Sequence, residues 1–544
     1  MTPADTLASS LPGEQIITTP VLIIGGGVTG TGIMRDLALR GLPSLLIDKR
    51  DLCAGASGGN HGLLHSGARY VSNDLHSAIE CRQENLILKR IAPHCIEKTG
   101  GLFVAVEGDD LDFARRFPDL CAAAGIPCEE LSPAEARKLE PLLAEHLVRA
   151  FAVPDATIDP FRLALANVAH AGQLCGSLYR PHTEIEGFVV VDGEIRAALC
   201  RDAISGNRLR IVAEQYINAG GAWAMAIARL AGCSDVNLSY SKGTLVVSHD
   251  RLTSRVINRL RPPADGDILV PGGTVSVLGT TSVRSNDLEG VRPTVAEVDI
   301  NVREGAAMLP ALATARYIRA FSRVRPLLQE AVGDDRSATR GFALFDHLDQ
   351  GLNNFCTITG GKLTTFRLMA EKTADLVVER LGRGGPCRTT SEPLADTGAC
   401  RWTEPGASPR YWYQANDAED TILCECEMVP TSAIDEIVAC APGLDEKMSL
   451  EAIALRSRAG KGPCQGSFCG IRIASYLYER GYYQDRTGLS HMRDFFNERF
   501  KGMRTVIWGR QAAQMELAEA LHCGLLGLDN LDGDTPPATT GRQP

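Results

Sequence analysis

Four cysteines in one stretch have the spacing of a ligand set. Cys424-Glu425-Cys426 is followed, after 37 residues, by Cys464-Gln465-Gly466-Ser467-Phe468-Cys469. Thiolates of this kind bind iron–sulfur clusters or zinc. Zinc sites more often pair their cysteines as C-x2-C, so C-x-C leans away from zinc. Gly462, Gly466 and Gly470 leave backbone N–H groups free to approach cluster sulfides. The bland alternative is a set of reduced thiols, since Cys440 lies close by with no partner in the pattern. A second group is cationic. Arg69, Arg325, Arg340 and Lys362 sit beside Gly-rich turns rather than on amphipathic helix faces. Arginine offers a planar fork that grips phosphate with two parallel bonds, and lysine adds a point charge. Arg323, two residues before Arg325, is expected on the opposite side of a strand. His61 and His65 lie four apart, but Gly62 and Gly67 argue against a helix that would make them a metal pair. A base or cofactor contact is the chemical role for His65, and loop packing the plain one.

These groups need elements to hold them. Val21–Ile24 reads as a buried strand running into Gly25-Gly26-Gly27-Val28-Thr29-Gly30, then a helix stopped by Gly41 and Pro43, then a second strand, Ser44–Ile47, ending at Asp48. Gly25-x-Gly27-x-x-Gly30 in that setting is a dinucleotide fingerprint. The glycines permit the tight turn, the approach of backbone to a pyrophosphate, and close helix–strand packing. Asp48, 18 residues after Gly30, is placed to accept bonds from a ribose diol, which favours NAD or FAD over NADP. A second Gly turn, Gly360-Gly361-Lys362-Leu363-Thr364, follows the strand 355–358 and leads a helix over 367–380. A distal helix N-terminus of that kind suits a flavin whose reduced ring carries negative charge. Asn218-Ala219-Gly220-Gly221 is a further strand-end turn, as expected of a flavin domain assembled from discontinuous pieces.

Composition bounds the rest. The chain has 544 residues, 44 % of them hydrophobic, and a net charge of −10. That excludes a disordered chain and disfavours a nucleic-acid binder, which would be basic. Any anionic ligand must find a local cationic pocket. The 17 cysteines are too sparse for a secreted disulfide scaffold and point to reduced thiols, with Cys53, beside the first Gly turn, the one most expected to do more than pack. Residues 1–19 carry no Lys or Arg, so no targeting signal is expected, and no apolar run suggests a transmembrane helix.

The stretches 23–30, His61-Gly62-Leu63-Leu64-His65-Ser66-Gly67-Ala68-Arg69-Tyr70, Gly279-Thr280-Thr281-Ser282, Val324-Arg325-Pro326-Leu327 and 360–364 resemble the FAD-dependent glycerol-3-phosphate dehydrogenases. These lie within the D-amino-acid-oxidase-like flavoproteins, and the likeness is nearest to the catalytic subunits of the bacterial anaerobic enzymes. The resemblance implies an α/β plus α+β architecture. A discontinuous Rossmann-like FAD domain would occupy 20–95, 150–242 and 341–382, and a substrate or cap domain 96–149 and 243–340. A linker at 383–420 leads to a C-terminal domain at 421–480 that resembles the bacterioferritin-associated-ferredoxin-like 2Fe-2S domain. A helical segment at 481–531 and a disordered tail at 532–544 complete it. FAD would be held by Gly25, Gly27, Gly30, Asp48, Ser57, His61, Gly220, Gly361, Lys362, Leu363 and Thr364. His65, Arg325 and Lys362 would be catalytic, Arg69, Arg325 and Arg340 would bind phosphate, and Cys424, Cys426, Cys464 and Cys469 would hold the cluster.

The implied reaction is oxidation of sn-glycerol 3-phosphate to dihydroxyacetone phosphate, by hydride transfer from C2 to flavin N5. Electrons would leave one at a time to partner electron-transfer and membrane-anchor subunits and then quinone, with the chain peripheral on the cytoplasmic face of the inner membrane. One departure stands out. Quinone-reducing single-chain relatives carry a histidine shortly after Lys242-Gly243, where this chain has Leu245. The rivals are a related FAD dehydrogenase of a 2-hydroxy acid or amino acid, and an inert FAD-binding assembly subunit.

Overall fold

A computed structural model describes residues 14–328, 341–440 and 447–531. Arg340 and the expected tail 532–544 lie outside the described residues. The chain divides into two compact units, Met1–Arg401 and Trp402–Pro544.

The first unit is built on two sheets. One sheet has eight strands, with a parallel centre formed by Leu178–Arg180, Ser44–Ile47, Gln15–Ile24, Arg208–Asn218 and Phe355–Gly360. Val21, Leu22 and Ile23 are wholly buried, as an apolar run must be when both faces of a parallel strand are covered. The helix Val28–Leu39 covers one face, with Gly27 as its N-cap. Gly32 lets the helix Phe366–Leu381 approach, because a Cβ there would come within 2.9 Å of the Phe366 ring. The strand Arg208–Asn218 shares one edge between two partners. Its first half pairs antiparallel with Glu194–Asp202 and its last three residues pair parallel with Phe355–Thr357.

The other sheet has nine strands. Its relevant pair is Leu238–Ser248 with Tyr317–Leu328, antiparallel, which sets Ser241 opposite Arg325 and Gly243 opposite Arg323. Alternate residues of Tyr317–Leu328 are buried from Ile318 to Val324, so Arg319, Phe321, Arg323 and Arg325 share one face. That overturns the expectation for Arg323. The side-chain period of a strand is two, so residues two apart point the same way.

The second unit is mostly helical, around Ile434, Ile453, Leu477, Tyr483, Phe496 and Phe500. A short hairpin, Ile422–Cys424 with Val429–Pro430, precedes its helices. Within 383–420 the chain forms a 3-10 turn, Gly398–Thr403, and a helix, Ala407–Ala415, and Trp402 packs into the second unit's core. Tyr413 is exposed. No described helix is long and apolar enough to cross a membrane.

Candidate functional site

A cavity of about 580 Å³ in the first unit is bounded by the N-terminal Gly turn, the Gly220 turn, the 360–363 turn and the Arg323/Arg325 strand. The first turn is as tight as its glycines allow. Gly25 has φ +118°, and a Cβ on it would lie 2.4 Å from the Ala219 carbonyl oxygen. A Cβ on Gly30 would lie 1.9 Å from the Gly25 carbonyl oxygen. Gly30 thus closes the turn from behind, whereas Gly25 and Gly27 line the cavity. Ser57 Oγ accepts the Val28 N–H at 3.1 Å. Asp48 accepts the N–H of Gly26 at 2.7 Å through Oδ2 and that of Arg50 at 2.8 Å through Oδ1. Burial nonetheless holds its carboxyl above the usual range.

Arg323, Arg325, Arg69 and Lys362 line the cavity with His61 and His65, and the charges of Arg325, Arg69 and Lys362 act on the two histidines. Arg323 joins the pocket because it shares the strand face of Arg325, a signal that the period of two carries in the sequence itself. Glycines make room for both side chains, for the stem of Arg323 and for the guanidinium of Arg325. A Cβ on Gly59 would fall 1.9 Å from Arg323 Cγ, and one on Gly243 would fall 2.7 Å from Arg325 Nη2. Arg325 Nη2 donates to the Thr281 carbonyl at 2.6 Å. Arg69 already has a partner, since its Nη2 lies 2.9 Å from Oδ2 of the fully buried Asp267. Its charge is therefore shared with a carboxylate before any ligand arrives. Lys362 donates to Ser77 Oγ at 3.0 Å and stands 5.0 Å from the Tyr70 ring centre. Leu245 lines the cavity where single-chain relatives are expected to carry histidine.

His61 and His65 lie on either side of the short strand Leu63–Leu64, with Gly62 at φ +72° turning the chain between His61 and the strand. His65 is held by its surroundings. Its N–H donates to Thr364 Oγ1 at 3.1 Å, its carbonyl accepts from Asn85 Nδ2 at 3.1 Å, and its Nε2 shares a hydrogen bond with the Tyr70 hydroxyl at 3.3 Å. Thr364 thus supports the site from beneath rather than lining it. Burial lowers the His65 pKa to about 3, helped by the charges of His61, Arg69 and Lys362. His61 falls to about 4, also chiefly by burial. Both rings are neutral near pH 7. His61 Nε2 is buried and has no hydrogen-bond partner within the protein. That open acceptor or donor, together with the backbone cradle of the Gly turns, is what a bound dinucleotide would complete. Asn85 and Asp155, which fixes Ser66 N–H at 2.7 Å, are not legible in the sequence, because single polar residues on helices and in loops carry no pattern.

Cys53 proves to be packing. It is 3 % exposed, its Sγ lies 3.5 Å from the Pro160 carbonyl, and burial drives its thiol far up. In the second unit, Cys424 ends the hairpin strand and Cys469 begins the helix Cys469–Glu479. Their thiols share a hydrogen bond that, with the N–H groups of Glu427 and Gly460, lowers Cys424 to about 7. Cys426 is bonded in turn to Cys464. Among the described residues no three of the four sulfurs lie within 4.8 Å of one another, so they stand as two pairs. Gly462 permits this approach, since a Cβ there would be 2.4 Å from Cys426 Cβ. All 17 cysteines are free of disulfides.

Residues 20–376 match the family described as FAD dependent oxidoreductase. The chain belongs to that family. Within it, this oxidoreductase is 39 % identical to an anaerobic glycerol-3-phosphate dehydrogenase subunit of Escherichia coli K12, over 95 % of this chain and 98 % of that protein. It is 38 % identical to the corresponding anaerobic glycerol-3-phosphate dehydrogenase subunit of Haloferax volcanii, over 94 % and 91 %. Among solved structures, the oxidoreductase shares its fold with a glycerol-3-phosphate dehydrogenase from Bacillus halodurans complexed with FAD. That similarity has a TM-score of 0.61 at 20 % identity and covers 90 % of this chain and 96 % of the other. An L-alpha-glycerophosphate oxidase from Mycoplasma pneumoniae with FAD bound gives a TM-score of 0.56 at 20 % identity, over 70 % and 100 %.

Proposed function

We propose that this oxidoreductase converts sn-glycerol 3-phosphate to dihydroxyacetone phosphate. The observation that carries the proposal is that Arg325, Arg69 and Lys362 act on the neutral pair His61 and His65 in a cavity whose lining also includes Arg323. A small dianion bearing a secondary alcohol fits that combination. A 2-hydroxy acid or an amino acid presents one carboxylate at the reacting carbon, which calls for one guanidinium there. The relatives' names point the same way. FAD, when bound, supplies the acceptor for the hydride from substrate C2. The chain supplies the rest. Gly25, Gly27, Ser57, Asp48, His61, Gly220, Gly361 and Leu363 hold the cofactor, and Gly30 and Thr364 set the shape behind them.

Arg323, Arg325 and Lys362 take the phosphate, with Arg69 lending the part of its charge that Asp267 leaves. His65, its ring oriented by the Tyr70 hydroxyl at Nε2, accepts the proton of the substrate hydroxyl. Its low basicity arises partly from neighbouring cations, and a dianion among them raises it when it is needed. By resemblance Arg340 is a fourth phosphate arginine.

In the second unit we assign a 2Fe-2S cluster to the four cysteines. A single zinc ion bonded to four thiolates at about 2.3 Å would draw all four sulfurs within roughly 3.8 Å of one another. Two separated pairs suit a dinuclear cluster with two thiolates per iron. Such a cluster passes electrons singly, so a partner redox protein and ultimately membrane quinone are the implied acceptors. The chain would then work at the membrane through its partners.

Anaerobic bleaching of the flavin decides the substrate. sn-Glycerol 3-phosphate should bleach it, while 2-hydroxyglutarate and D-amino acids should not. Bleaching by an acid instead would overturn the substrate assignment, and no bleaching by any of them would favour an inert, FAD-binding assembly role.

A further inference from the structure

Away from the cavity, Cys233, Asp235 and His347 bring a thiol, a carboxylate and an imidazole together, with one ligand atom of each within 4.8 Å of the others. The residues come from two distant parts of the chain. Cys233 and Asp235 follow the helix Ala224–Leu230, and His347 opens the 3-10 turn His347–Gln350 after the strand Phe342–Asp346. His347 is wholly buried and Cys233 is 2 % exposed, whereas the Asp235 side chain is 29 % exposed and leaves a way in from solvent. The His347 ring stacks between Phe345 and Phe355, with centres 6.4 and 4.9 Å away, so it cannot swing to find another partner.

His347 Nδ1 approaches Asp235 Oδ1 to 3.1 Å, and the carboxylate offsets part of the burial that lowers the imidazole pKa. The thiol of Cys233 completes a set of three ligand atoms close enough to share one ion. The opposite ring nitrogen, Nε2, is held by Thr357 Oγ1 at 2.8 Å. That contact can fix the tautomer that presents a bare Nδ1 to an ion, as outer partners of metal-bound histidines do. A tetrahedral ion with bonds of about 2.0–2.3 Å spaces its ligand atoms by roughly 3.3–3.8 Å, within the span of this cluster.

We propose that Cys233, Asp235 and His347 bind a zinc ion, with water as the fourth ligand. A thiolate–imidazole–carboxylate set suits zinc better than calcium or magnesium, which prefer oxygen alone. The ion ties the segment after Ala224–Leu230 to the turn that precedes the last parallel strand. From His347 a hydrogen-bonded chain leads on. Thr357 Oγ1 accepts from Asn218 Nδ2 at 3.1 Å, and Asn218 Oδ1 accepts the Gly220 N–H at 3.1 Å. Gly220 lines the cavity. The zinc is thus a clasp behind one wall of the FAD site.

The test uses the full chain with Cys424, Cys426, Cys464 and Cys469 replaced by serine, so that no second set of thiolates competes. Titration with Co²⁺ should load one ion per chain and produce a thiolate-to-cobalt absorption band. Cys233→Ser and His347→Gln should each abolish the band. Asp235→Asn, at the partly exposed ligand, should keep FAD bound while weakening Co²⁺ binding at least ~10-fold. FAD retention reports folding of every variant. An unchanged band and stoichiometry in Cys233→Ser, or unchanged Co²⁺ affinity in a FAD-loaded Asp235→Asn, overturns the proposal.

Discussion

At the scale of single residues, the site depends on charges placed where water is scarce. Arg325 is the sharpest case, since it donates to a carbonyl and faces the cavity from a strand. Arg325→Ala should leave FAD bound and cut kcat/KM for sn-glycerol 3-phosphate by about 10²-fold, the scale of one charge-assisted bond pair lost. Steady-state kinetics with flavin absorbance as the occupancy control check it. The histidines give a pH signature. Their folded pKa values, about 4 for His61 and about 3 for His65, lie below the unfolded value near 6.5. The unfolded chain therefore takes up protons first as pH falls. Stability from these rings is intact above pH ~6.5 and lost as pH drops toward the folded values. At pH 5 each ring costs about 2 kcal/mol. His65→Gln should flatten the fall in unfolding free energy between pH 7 and 5 relative to the parent, and an identical slope would remove the ring from this account. Arg69 shows the limit of reading residues alone. Its sequence neighbourhood marks a pocket cation, while its partner Asp267, 198 residues away, is invisible until the chain folds.

At the scale of elements, what was legible followed from period and punctuation. The strand Ser44–Ile47 falls where its apolar run predicts, and the helix Phe366–Leu381 extends the expected 367–380 by one residue at each end. The long antiparallel pair that presents the arginines was only half visible. Gly243-Thr244-Leu245-Val246-Val247 reads as a strand, but its register against Tyr317–Leu328 is a tertiary fact. That register places glycine across from Arg323 and beside Arg325, which makes a testable claim about empty space. Gly243→Ala should crowd Arg325 Nη2, raising KM about 10-fold with FAD occupancy unchanged. A KM equal to the parent's would show that the guanidinium has room to shift.

At the scale of the whole molecule, one chain holds a cavity in the first unit and four paired thiols in the second. Spacing singled out those four thiols, whereas the pairing of Cys424 with Cys469 and of Cys426 with Cys464 required the fold. Cys464→Ser should remove iron and cluster absorbance while substrate still bleaches the flavin. Iron analysis beside anaerobic spectra separates the two, and loss of bleaching would mean the cofactors are not independent. The parallel sheet of the first unit sets a timetable as well as a shape. Its first strand begins at Gln15 and its last ends at Gly360. A ribosome adding about 5–20 residues per second needs roughly 20–70 s to deliver both. Until then the inner edge of Asn218 has no neighbour and the N-terminal Gly turn faces no opposing wall. The turn at 360–363 is the last part of the cavity's lining to be made, so the wall opposite the N-terminal Gly turn is completed only late in synthesis.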